Sequence, residues 1–129
     1  MGVRAACLLV ASVALALLLC CKAKSGDDCY ETHPNHTTPG GQVVELRHAL
    51  DAAELDLLDL VADNHPLPPG WVLIVNPPMS DPGRTYFACN YVQIAWDPSP
   101  GQLTYVIDHE AGHAWTRDPC YGHPPDRCH

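Results

Sequence analysis

Apolar residues are not spread evenly along the chain, and their spacing predicts its elements. From residue 5 to residue 21 nearly every position is apolar. Across residues 42–62, Val43, Leu46, Leu50, Ala53, Leu57 and Leu60 recur at helical spacing, with Asp51, Glu54, Asp56 and Asp59 between them. That pattern predicts an amphipathic helix, stopped by Asn64 and Pro66. Residues 71–76, WVLIVN, form a compact apolar run between prolines and predict a buried strand. A short strand is expected at 86–88 and another at 91–96, YVQIAW, which Asp97 and Pro98 end. The segments PLPPG and NPPMSDPGR read as loops. A second helix then has a marked start, with Ser99 as N-cap, Pro100 at the first helical position and Gln102 completing a capping box. It should run to about Trp115 and bury Leu103, Val106, Ile107, Ala111 and Ala114. Residues 26–41, polar and rich in His, Thr and Pro, read as an extended tail.

The 129 residues suffice for one domain. The N-terminal apolar run follows a cationic start at Arg4 and precedes Ala23-Lys24-Ser25, so residues 1–25 read as a secretory signal peptide. An uncleaved anchor, or lipid on Cys20 or Cys21, is the alternative and the one expected route to a membrane. Cleavage would remove Cys7, Cys20 and Cys21 and leave Cys29, Cys89, Cys120 and Cys128. In an exported domain four cysteines suggest two disulfides, with three pairings open. Cys29 with Cys89 would pin the tail, and Cys120 with Cys128 would close the C-terminal loop. No CxxC occurs, which argues against a cysteine zinc site.

Arg47, Arg84, Arg117 and Arg127 would then face fifteen acids, for a net charge of −11 with histidines neutral. Nucleic acid is an unsuitable partner, because its phosphates would be repelled. Asn35-His36-Thr37 is a glycosylation sequon, relevant to a eukaryotic secretory route. His33, His36, His48 and His65 read as surface residues.

The candidate chemistry lies in YVIDHEAGHAW, residues 105–115. His109 and His113 stand one helical turn apart, with Cβ atoms about 5–6 Å from each other. Two imidazoles so placed can meet one zinc ion at about 2.0–2.1 Å. Glu110, turned about a third of a turn from His109, would miss the metal and reach a water beside it. Zinc brings the pKa of such a water to about 7, and Glu110 could take its proton as it attacks a carbonyl. Gly112, unfavourable in a helix by about 1 kcal/mol, would give close packing against the sheet or room for the ion.

HEAGH fits HExxH, and in this respect the chain resembles the zincin metallopeptidases. The resemblance covers little more than residues 92–122. It implies a small α+β domain over residues 42–129, with a backing helix, a short twisted sheet and an active helix. It further implies a peptide or protein substrate, which would pair with an edge strand, here YVQIAW. A monomeric, secreted zinc peptidase is the expectation. A zincin-shaped module that binds metal or a partner without catalysis is the alternative.

The third ligand stays open. In HExxHxxGxxH, the metzincin pattern, Thr116 stands where glycine belongs and Pro119 where the last histidine belongs. Candidates after His113 are Asp118, His123, Asp126 and His129. Residues 116–122, TRDPCYG, are similar to the aspzincin element GTxDxxYG without its first glycine. That likeness implies Asp118 as ligand and Tyr121 as transition-state stabiliser, although the spacing from His113 is shorter than that family has. His123 competes, on a loop that the second disulfide would hold.

Overall fold

The computed structural model describes residues 28–124, 126 and 128. The segment read as a signal peptide, with Cys20 and Cys21, and also His129, lie outside the described residues. Among the described residues seven elements follow one another: β1 (His36–Thr37), β2 (Val43–Leu46), α1 (Ala52–Asn64), β3 (Val72–Asn76), β4 (Gly83–Tyr86), β5 (Tyr91–Ala95) and α2 (Pro100–Thr116). The strands form one mixed sheet in the order β1-β2-β3-β5-β4. β2, β3 and β5 are parallel, while β1 and β4 run antiparallel at the two edges. The fold is thus a small α+β domain. Among the described residues no helix is long and apolar enough to cross a membrane.

Strand alternation sends Val44, Leu73, Val75, Val92 and Ile94 to one face, where they form a core with Leu58 and Val61 of α1 and with Leu103, Ile107, Ala111 and Ala114 of α2. The expected apolar face of the second helix is buried as its spacing predicts. Ser99 accepts from the Gln102 amide, and Pro100 occupies the first turn. Ile74 and Tyr91, also fully buried, alternate out of phase with that core and so face the other side. The segment before β1 is anchored there. Tyr30 N donates to the Tyr91 hydroxyl at 3.2 Å, His33 N donates to Glu45 Oε1 at 2.5 Å, and Cys29 is bonded to Cys89.

The helix expected over 42–62 is corrected in its first half, which holds strand β2 and an irregular connection. Val43 to Leu46 pair in register with Val72 to Val75. β-branched residues suit that pleated, half-buried position, and a parallel neighbour with a buried face outweighs local helical spacing. The helix starts ten residues later, at Ala52, after a capping box in which Asp51 accepts from the Glu54 amide and Glu54 accepts from the Asp51 amide. Its phase also differs: Leu58, Val61 and Ala62 are buried, and Leu60 is 61% exposed.

Two acids of α1 are not simply solvated. Asp59 meets His36 Nε2 at 2.7 Å, and Asp63 accepts from Thr38 Oγ1 at 2.5 Å and from Gly40 N at 2.8 Å. They fasten the β1 turn to the helix. The sequon asparagine has a structural role too. Asn35 Oδ1 accepts from Leu46 N at 2.8 Å while its Nδ2 donates to Leu46 O at 3.1 Å.

The strand expected at 86–88 lies instead at Gly83–Tyr86, because residues 87–90 turn back: Cys89 N and Asn90 N both donate to Tyr86 O, and Asn90 is left-handed at φ 58°. This hairpin pairs β4 with β5, so YVQIAW is flanked on both sides and is not an edge.

The two disulfides are Cys29–Cys89 and Cys120–Cys128, spanning 60 and 8 residues. They point to an extracellular or secreted setting. Loop entropy grows with span, so replacing Cys29 and Cys89 by alanine is expected to lower unfolding free energy by about 2–5 kcal/mol. Removal of the short loop should cost less. Urea denaturation of the two double variants measures both, and the reverse order would contradict the loop-entropy account.

Candidate metal centre

Helix α2 lies against β4 and β5. His113, at 1% exposure, and Glu110, at 3%, are the charged or chargeable side chains it buries. His109 is half-buried one turn before His113. The helix ends because Arg117 adopts a left-handed conformation at φ 52°, with its guanidinium over the rings of Trp71 and Phe87 and its Nη2 donating to Phe87 O at 3.2 Å. Successive turns then fold the chain back over the helix. Cys120 N donates to Asp118 Oδ1 at 2.8 Å, Tyr121 N to Asp118 O at 3.1 Å, and His123 N to Cys120 O at 2.9 Å.

These turns bring His123 to the helical pair. His109 Nε2 lies 3.0 Å from His123 Nε2 and 3.1 Å from His113 Nε2. A tetrahedral ion held at about 2.0–2.1 Å would set its nitrogens about 3.3–3.4 Å apart, close to this spacing. His109, His113 and His123 form a group able to hold a metal ion.

Protonation favours that role. Burial, and then the neighbouring His113 and His123, push the His109 pKa below its ordinary value, so the ring stays neutral and keeps a lone pair to donate. His113 Nδ1 lies 2.7 Å from Asp118 O. A proton on Nδ1 donated to that carbonyl leaves Nε2 as the donor atom facing the other two rings, the usual device that orients a ligating histidine.

Of the two candidates for third ligand, His123 belongs to the group. Asp118 serves it through its backbone carbonyl, while its carboxylate holds the turn at Cys120. Asp126 is exposed and outside the group. Tyr121 stands beside the rings, with centroids 6.2 Å from His109 and 5.8 Å from His113.

Two glycines make this fit. A Cβ at Gly112 would overlap the Tyr121 ring, so the helix glycine leaves room for that ring rather than for an ion. Gly122 has φ +72°, and a Cβ there would lie 3.1 Å from His109 Cε1 and 3.2 Å from Nδ1. The sequence marked Gly112 but gave no role to Gly122, whose requirement appears only when the loop lies on His109.

Glu110 lies on the β4 side of the helix. Its Oε1 accepts from Thr85 Oγ1 at 2.7 Å. A cavity of about 220 Å³ joins the two halves of the site, lined by Asp81, Gly83, Tyr105, His109, Glu110 and His123 among others. Tyr105, 63% exposed, stacks on His109 with centroids 5.8 Å apart. Thr85, Gly83 and Tyr105 were not singled out from the sequence. Nothing in their local pattern separates them from ordinary strand and helix-surface residues.

Compared with known proteins, the chain matches no family model, no curated protein and no solved structure.

The geometry separates the two ligand candidates experimentally. His123→Ala should weaken zinc binding by about a hundredfold or more, and Gly122→Ala by about 10–100-fold through displacement of the loop. Asp118→Ala, which keeps the carbonyl to His113, should cost less than about tenfold. Calorimetric titration with zinc orders the three, and a larger loss for Asp118→Ala than for His123→Ala would reverse the assignment.

Proposed function

We propose that the protein is an exported zinc-dependent hydrolase of peptide or related amide bonds, built on the zincin plan with an HHH ligand set. The observation that carries this reading is the convergence of three imidazole Nε2 atoms, two of them on histidines (His109 and His123) that line one cavity together with the buried Glu110. Three neutral nitrogen donors suit zinc, and three protein ligands are the number that leaves a catalytic zinc one open position.

His109, His113 and His123 would hold the ion. Bound zinc supplies a Lewis acid that polarises a carbonyl and brings the pKa of water to about 7. The remaining work belongs to the chain. Glu110 accepts the proton of the attacking water and returns it to the leaving amine. Tyr121, poised beside the His109 and His113 rings, is the donor for the oxygen that gains charge, the role implied by the aspzincin-like segment.

Substrate binding moves from β5 to β4. Ala95 N donates to Pro82 O, and antiparallel alternation then turns the peptide groups of Gly83 and Thr85 away from β5. Those residues point their outer edge toward the space where an extended peptide can add as a further strand. Their side-chain face is the one that meets Glu110. A peptide paired there would run past the base and the three histidines together.

The zinc-loaded protein is expected to cleave members of a mixture of synthetic peptides, read by mass spectrometry. Glu110→Gln should keep its zinc and lose at least about a hundredfold in kcat, the contribution typical of a general base. Equal turnover in both proteins would remove Glu110 from the reaction. Zinc bound by a wild type that cleaves nothing would leave a metal-binding module.

A further inference from the structure

We infer that Thr85 is the positioning residue for the Glu110 carboxylate, so that the edge strand which receives substrate also sets the base. The inference rests on the hydrolase reading above.

A carboxylate at the end of a three-torsion side chain has many orientations, and burial alone does not choose one. Glu110 is 97% removed from solvent, and among the described residues its carboxylate is hydrogen-bonded by the Thr85 hydroxyl alone. At 2.7 Å the distance is that of a normal O–H···O bond, with the hydroxyl as donor and the carboxyl oxygen as acceptor. The hydroxyl therefore donates to Oε1. The same oxygen atom also lies 3.2 Å from the Glu110 carbonyl, which keeps Thr85 seated over that turn of α2.

The other carboxylate oxygen faces Gly83. A Cβ at Gly83 would come within 3.2 Å of Glu110 Oε2 and 3.0 Å of its Cγ. Gly83 and Thr85 alternate on one face of β4 and grip the two oxygens differently. Thr85 ties Oε1 by a hydrogen bond, and the missing side chain at 83 leaves Oε2 uncrowded on the side of the cavity it shares with His109 and His123. One oxygen is held so that the other is available.

Coupling follows from topology. The peptide groups of Gly83 and Thr85 are the outward-facing ones on β4, the Gly83 N–H resting on Asp81 Oδ1 at 3.3 Å, so an added strand would bond the same short strand that holds the base. Docking would stiffen β4 just where the carboxylate is tethered. Misplacing a reacting group by about 1 Å can lower a rate by about a hundredfold, which sets the scale of what the tether can contribute.

Three variants, read by kinetics, zinc content and crystallography, test this. Thr85→Val keeps the shape and β-branching and removes the hydroxyl. Thr85→Ser keeps the hydroxyl, and Thr85→Ala repeats the deletion should Val prove too crowded to fold. With a peptide that wild type cleaves, Thr85→Val should lose about 10–100-fold in kcat, with KM within about threefold and zinc content unchanged. Thr85→Ser should recover most of that loss. A crystal structure of metal-free Thr85→Val should show the Glu110 carboxylate rotated off its wild-type position. The proposal is overturned if the valine variant turns over like wild type, or if its carboxylate has not moved. A wild type that cleaves no peptide would sink the hydrolase reading and this inference with it, whereas an active wild type matched by Thr85→Val would sink this inference alone.

Discussion

Helix α2 meets β4 along Val106 and Glu110, and the gap is so narrow that a Cβ at Gly83 would lie 2.9 Å from Val106 Cγ1 and 3.0 Å from Glu110 Cγ. That close approach places a buried carboxylate within reach of a strand hydroxyl. It also holds the helix so that His109 and Glu110 line a cavity bounded by the strand. The apolar side of α2 is what enforces it. Leu103, Val106, Ile107, Ala111 and Ala114 are all withdrawn from water, and each large one is worth about 1.5–3 kcal/mol of burial. Hydrophobic packing thus fixes the position, and the polar groups use it.

The other side of the helix is governed by a loop with little core of its own. Residues 117–123 fold back by turn hydrogen bonds, by the stacked Arg117 and by a disulfide from Cys120 to Cys128. The result is economical: the loop delivers one imidazole, one backbone carbonyl to His113 and one tyrosine ring into the space left by Gly112. A small domain cannot bury enough apolar surface to stiffen such a loop, and a covalent link supplies what the core does not. The same reasoning applies to the N-terminal segment, which covers the second face of the sheet and is tied at Cys29.

Several elements were legible from local rules. The cap at Ser99, the proline after it and the spacing of Leu103 to Ala114 define α2 without reference to anything distant. WVLIVN could be little else than a buried strand, and the cysteine pairing matched the expected loops. Residues 42–62 misled because Val43, Leu46 and Leu50 happen to fall at helical intervals. The capping box of Asp51 and Glu54 was there to be read, and it marks the true start of α1.

The amino-acid sequence by itself determined which side chains could do chemistry: two histidines one turn apart, a glutamate between them, and a short list of residues after the helix. That information is local, since helical geometry relates positions 109, 110 and 113 whatever surrounds them. Only tertiary structure grouped His123, and not the Asp118 carboxylate, with the helical pair, moved the free sheet edge from YVQIAW to Gly83–Tyr86, and brought Thr85 to Glu110 across 25 residues of chain. Each of those outcomes depends on how strands pair and how a loop returns over a helix. Such contacts are set by burial and steric fit between distant segments, and no spacing within one segment encodes them.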